Sequence, residues 1–161
     1  MEIRPAKIKE KDEIVALYKR SQYITGLPDP KFVPPDRLGD RLYARNAIGR
    51  FVATETGSIV GHGLIETANP DHLPEWLAAV GDSTQELIEL GGAFVEPSKI
   101  GQGIWSMLLR YRIDVVRSMG ALPVSVTWSV NTHVKRRFLQ LGGIEVVEKQ
   151  MEAGTISLFI L

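Results

Sequence analysis

The spacing of apolar residues changes several times along the chain, and each change marks an element. Ile14, Leu17 and Tyr18 recur at three- and four-residue intervals, which predicts a helix over 11–21 after a short strand over 2–4. Gly26, Pro28, Pro30, Pro34 and Pro35 then break the chain into a loop. Leu38 and Leu42 form the i, i+4 stripe of a second short helix over 36–44. Residues 50–54 and 58–67 read as a hairpin turning at Thr56-Gly57. The stretch 68–85 is polar and punctuated by Asn69-Pro70 and Gly81-Asp82, yet Leu73, Trp76, Leu77 and Val80 keep helical spacing, as in a small helix inside an insertion.

A strand over 86–95 follows, then an amphipathic helix over 103–119. Ile104, Leu108, Tyr111, Val115 and Met119 line one side of that helix; Ser106, Arg110, Asp114 and Arg117 line the other, and Gly120 stands where a left-handed cap is wanted. Residues 122–130 alternate as Val124, Val126, Trp128 and Val130 against Ser125, Thr127 and Ser129. Asn131 or Thr132 can cap a helix running to 141, which Gly142-Gly143 stops. Strands over 144–149 and 155–161 close the chain as a hairpin. Helices interleaved with strands of a mixed sheet define an α/β or α+β domain.

Composition narrows the chemistry more than the fold. At 161 residues the expectation is one domain with a core that needs no staples. Nineteen Lys and Arg balance nineteen Asp and Glu, which argues against a nucleic-acid or membrane-surface protein. The absence of cysteine excludes disulfides, thiolate metal sites and thiol nucleophiles. His62, His72 and His133 show no i, i+4 pairing, so no metal is expected. A polar start at Met1-Glu2 and the lack of a long apolar run point to the cytoplasm.

The informative stretch is Val95-Glu96-Pro97-Ser98-Lys99-Ile100-Gly101-Gln102-Gly103-Ile104-Trp105-Ser106, which carries a strand through a glycine-bearing turn into a helix. The first N–H groups of a helix have no carbonyl of their own, and the dipole is positive there. A phosphate satisfies both, and glycine at 101 and 103 lets it approach the backbone. A tight turn alone would also explain the two glycines. A P-loop is excluded because Ile104-Trp105 replaces its Lys-Ser/Thr pair. A dinucleotide fingerprint fits poorly, with Ser106 at its third small position and no acidic residue after Trp128.

With these residues in place, the sequence resembles the GNAT superfamily of N-acetyltransferases. Val95, Pro97, Gly101 and Gly103 match its phosphate-loop signature, and Asn131, Phe138 and Gly142 keep the spacing of its second motif. The resemblance spans nearly the whole chain. It implies a mixed, mostly antiparallel sheet of about seven strands with about four helices, splayed between the fourth and fifth strands. Three departures stand out: Ile100 in place of Gln or Arg, Trp105 in place of Gly or Ala, and Phe138 where many members place Tyr. Lys99 could supply the cation that Ile100 does not. The Trp105 indole could press on the phosphate site or tuck against the loop or insertion.

The resemblance further implies acetyl-CoA as co-substrate. Main-chain groups near Phe94 and Val95 would pair with the pantetheine arm and polarise the thioester. The turn from Lys99 through Ile100, Gly101, Gln102, Gly103, Ile104, Trp105 and Ser106 would hold the phosphates, and Asn131 would hydrogen-bond the arm beside Phe138. Gly91-Gly92 would permit the splay, unless it is only a lax piece of strand. Glu89, six residues before Val95, is the candidate general base. Glu66 and His62 are weaker candidates, His133 reads as an exposed helix residue, and the neighbouring run Lys135-Arg136-Arg137 reads as a solvated face that could instead touch the 3′-phosphate.

Phe138 cannot donate a proton, so Tyr43 or Tyr111 would have to serve as acid, or water would. The expected reaction is direct acetyl transfer to a primary amine, on a small molecule or a peptide, without nucleic acid or membrane. The acceptor pocket would come from the first two helices, the loop 26–35 and the insertion. A homodimer using the apolar end 155–161 is a further expectation. The rival reading is a catalytically silent member of the fold that binds acyl-CoA or a protein.

Overall fold

A computed structural model describes residues 1–22, 47–152 and 154–161. The expected loop 26–35, the helix over 36–44 and Tyr43 lie outside the described residues. Seven strands form a sheet in the order β1-β2-β3-β4-β5-β7-β6. They are β1 (Glu2–Pro5), β2 (Ala47–Glu55), β3 (Ser58–Thr67), β4 (Leu87–Val95), β5 (Leu122–Trp128), β6 (Ile144–Met151) and β7 (Gly154–Ile160). The described helices are α1 (Lys11–Gln22), α2 (Leu73–Val80), α3 (Ile104–Ser118) and α4 (Thr132–Gln140).

The chain divides into two compact units, one of residues 1–65 and 92–112, the other of 66–91 and 113–161. In the first, Asp12 and Glu13 at the start of α1 and Lys19 and Arg20 at its end complement the helix dipole. Ile14, Leu17 and Tyr18 are buried with Val52, Ile59 and Leu64, so the stripe read from spacing is the face that packs. The β2–β3 hairpin turns at Thr56 and Gly57, both with positive φ (48° and 87°), the conformation whose twist suits a two-residue hairpin loop. β2 begins three residues earlier than the sequence suggested, at Ala47.

In the second unit Trp76 of α2 is fully buried in a core with Ala68, Leu87, Val124, Ile156 and Leu158. Leu77, expected on the same stripe, is 45% exposed. β4 and β5 run parallel over only three register pairs, Leu87↔Leu122 to Glu89↔Val124, although β4 continues to Val95. β5 ends at Trp128, two residues short of the expected end at Val130, which is 72% exposed. Phe138 of α4 is buried edge-on against Phe159, with ring centroids 5.0 Å apart. Gly143 then takes the chain past α4 so closely that a Cβ there would lie 2.6 Å from Leu161 and 2.9 Å from the Phe138 carbonyl.

No helix among the described residues is long and apolar enough to cross a membrane.

Candidate active site

The first unit carries the glycine-bearing turn. β4 ends at Val95, and the next N–H, that of Glu96, donates to the Val60 carbonyl at 2.9 Å. The Glu96 carboxylate accepts two N–H groups of Arg20, Nε at 2.9 Å and Nη2 at 2.8 Å, which ties the start of the turn to α1. Pro97–Lys99 is a single 3-10 turn, and Gln102 N–H donates to the Lys99 carbonyl at 3.3 Å. Gly101 and Gly103 have φ of 86° and 78°, a region costly for any other residue. The first rung of α3 is Met107 N–H on the Gly103 carbonyl at 3.0 Å.

A Cβ built on Gly101 or Gly103 meets nothing within 4 Å among the described residues. The glycines therefore relieve no crowding among the described residues. They reverse the chain and leave space ahead of the positive end of a helix, which fits an anionic group held by main-chain N–H. Ile104 is buried and anchors the helix start, so only its backbone is available to a ligand. Ile100 is 58% exposed and brings no charge, and Gln102 is exposed. Trp105 and Ser106 are half-buried.

Lys99 differs from expectation. Its ammonium pairs with Glu55 at the end of β2, and this neighbour holds the Glu55 carboxyl below its ordinary value. A local cation is present, as the sequence suggested, but an acid already engages it. Phe94 and Val95 are half-buried at the end of β4. The Phe94 ring stands edge-on to Tyr18 at 4.5 Å and parallel to His62 at 6.4 Å. His62 is fully buried, and neither ring nitrogen has a hydrogen-bond partner among the described residues. Burial, reinforced by Arg112 and Arg50, lowers its pKa to about 3, so the ring is neutral and sealed from solvent. That placement does not suit a base.

The second unit holds Glu89, Asn131 and Phe138. Glu89 is half-buried, and its Oε2 accepts the Asn69 N–H at 3.0 Å. Asn131 is the N-cap of α4, its side-chain oxygen accepting Val134 N–H at 3.4 Å, as its sequence position suggested. His133 is exposed, while Lys135 of the neighbouring basic run pairs with Glu145 at 2.8 Å and Glu148 at 2.7 Å. Tyr111, in the first unit, packs edge-on against Phe51 at 5.3 Å. No group of three or more His, Asp or Glu among the described residues could hold a metal ion.

Sequence reasoning missed two residues that touch the candidates, Glu55 and Asn69. Each reaches its partner across the fold, over 44 and 20 residues of chain respectively, so neither lay within a local motif. The Asn69-Pro70 pair was visible as a turn signal, but not its target.

The strand order, the short parallel β4–β5 pairing and the turn before α3 define an acyltransferase fold, and comparison with known proteins gives the family. The model of the acetyltransferase (GNAT) family matches residues 12–142, and the chain belongs to that family. Among solved structures, yncA of Salmonella typhimurium, determined with its cofactor acetyl-CoA, superposes with a TM-score of 0.73 at 20% identity, covering 100% of this chain and 92% of that one. The ribosomal-protein-S18-alanine N-acetyltransferase of Escherichia coli gives 0.71 at 14% identity, covering 99% and 92%. The ribosomal-protein-alanine N-acetyltransferase of Brucella melitensis gives 0.72 at 18%, covering 99% and 98%. No curated protein sequence matches the chain.

Proposed function

We propose that the protein is an acetyl-CoA-dependent N-acetyltransferase acting on a primary amine by direct attack. The observation that carries this reading is the turn at Gly101 and Gly103, where two left-handed glycines precede α3 and an added Cβ meets no atom of the described residues. Acetyl-CoA supplies an activated acyl thioester. The chain's part is to hold its phosphates with main-chain N–H of the turn and to accept a proton. Glu89 is the group assigned to that proton. The amine nitrogen forms a bond to the acetyl carbon as the carbon–sulfur bond breaks. The amine proton passes to Glu89, and coenzyme A leaves as the thiolate, which takes its proton from water.

A second reading, an acyl-CoA-binding protein without turnover, draws on Phe138, which is buried against Phe159 and has no proton to give. Calorimetric titration with acetyl-CoA followed by a panel of primary amines separates the two. Binding with thiol release supports the enzyme; binding without release on any amine supports the silent reading; no binding at millimolar acetyl-CoA overturns both. Within the enzyme reading, Glu89→Gln should lower kcat by about a hundredfold, the scale of one acid–base group, and leave acetyl-CoA affinity unchanged.

A further inference from the structure

The stretch that leads from β3 into α2 forms a braced turn that donates a main-chain N–H to Glu89. Residues 69–72 close on themselves, with His72 N–H donating to the Asn69 carbonyl at 3.0 Å. The Asn69 side-chain oxygen accepts Asp71 N–H at 3.0 Å. Asn at the first position and Pro at the second are what such a turn favours, because the amide oxygen mimics a backbone acceptor and the pyrrolidine ring presets φ.

The turn is also pinned from outside. Lys149 Nζ donates to the Asp71 carbonyl and to Glu75 Oε1, both at 2.7 Å. His72 and Trp76, at and just after the turn, are buried. Both oxygens of Asn69 are thus committed to the turn, and its N–H donates to Glu89 Oε2 at 3.0 Å. The Glu89 main chain is fixed in register with Val124. With its backbone set by the sheet and one oxygen set by a charge-assisted hydrogen bond, the carboxylate loses freedom about its terminal torsions.

We infer that Asn69 is a positioning residue for Glu89: the turn that opens the insertion orients the carboxylate that receives the amine proton. The inference rests on the reading of Glu89 as base. It gives the insertion a role in the chemistry that does not require it to touch either substrate.

Asn69→Pro removes the donor together with the side-chain oxygen that braces the turn, and Asn69→Ala, which removes that oxygen alone, is the control for the second loss. A residue that precedes proline is already confined to extended or polyproline backbone, which proline at 69 can adopt. We expect kcat with the amine found on the panel to fall about tenfold, the scale of a misoriented catalytic group, while KM for acetyl-CoA stays within about twofold. Asn69→Ala keeps the N–H, and its kcat should stay within about threefold of the parent. If the proline variant misfolds, the Asn69 amide proton decides: its NMR resonance should move upfield in Glu89→Gln, where the charged acceptor is gone. An Asn69→Pro protein at full kcat beside a slow Glu89→Gln overturns the positioning role alone, as does an unmoved Asn69 resonance. Full activity of Glu89→Gln, or no amine turned over, removes the base reading on which the role depends.

Discussion

Two tripeptides of one pattern, Gly61-His62-Gly63 on β3 and Gly101-Gln102-Gly103 ahead of α3, lie in the same unit and use glycine in opposite ways. At Gly61 a Cβ would lie 2.8 Å from Leu108 and 2.9 Å from Ile104; at Gly63 it would lie 2.9 Å from Arg112 Nε. The missing side chains there are filled by the helix itself, which seats against the strand. At Gly101 and Gly103 the same added atom meets nothing among the described residues, and φ is positive at both. One pair makes a close contact possible. The other makes a turn and keeps a space open. Only the second pair has the properties a ligand needs, and a sequence pattern cannot distinguish them.

The residues between the glycines differ as sharply, and the largest predicted effect follows from that. Gln102 is exposed, whereas His62 is buried neutral with its pKa lowered to about 3 from an ordinary 6.5. Between those values the unfolded chain binds a proton that the folded chain refuses, so stability rises with pH across the window and is lost as pH falls. The contribution is fully present above the unfolded value. From pH 6.5 to about pH 4 this one group should remove about 3 kcal/mol of stability. Denaturant titrations across that range should therefore be steeper in pH for the parent than for His62→Leu. Equal slopes would mean that His62 opens to solvent and that the first tripeptide is not sealed.

A crossed pair of substitutions sharpens the contrast. Gly61→Val forces branched carbon into Leu108 and Ile104, an overpacking that should cost about 3 kcal/mol in unfolding free energy. Gly103→Ala meets no atoms of the described residues, so its stability cost should be limited to the left-handed backbone, about 1 kcal/mol. Its CoA affinity should nevertheless fall about tenfold, because the methyl group stands where a phosphate approaches the backbone. Calorimetry with CoA and denaturant unfolding of both variants read the two effects. A Gly103→Ala protein that binds CoA as tightly as the parent would reduce the second tripeptide to a simple turn.

Elements set by local pattern were legible in the sequence. Ile14, Leu17 and Tyr18 define the α1 face, Asn131 caps α4, and the turn residues 97–103 stand between β4 and α3 as their types suggested. The α3 face was read less well. The apolar side expected of Ile104, Leu108, Tyr111, Val115 and Met119 is only partly the packed one: the buried positions are Ile104, Leu108, Leu109, Arg112, Ile113 and Val116, and Met119 is 50% exposed. The reason is Arg112. Its guanidinium is buried and donates to the Leu108 and Leu64 carbonyls at 3.2 and 3.1 Å, so a charged residue sits inside the packed stripe and disguises it. It fits because Gly63 has no side chain. The site was legible as a loop and a candidate base, whereas the partners of Lys99 and Glu89 come from distant segments that only folding brings near.

The smallest predicted effect tests how far the open tripeptide depends on charge. The formal net charge of the whole chain is zero, so attraction for the phosphates of CoA must be local. Lys99 is the basic residue of the turn, and Glu55 engages it. An exposed ion pair contributes little to stability, so the carboxylate acts chiefly as a competitor for the ammonium and as a charge that repels phosphate. Glu55→Gln should leave unfolding nearly unchanged and tighten CoA binding about threefold at low salt, with the gain fading as ionic strength rises. In a Lys99→Gln background the same substitution should lose most of its effect, because the competition is then absent. An unchanged dissociation constant in Glu55→Gln would show that main-chain N–H groups alone hold the phosphates, and that the space kept by Gly101 and Gly103 needs no cation at its edge.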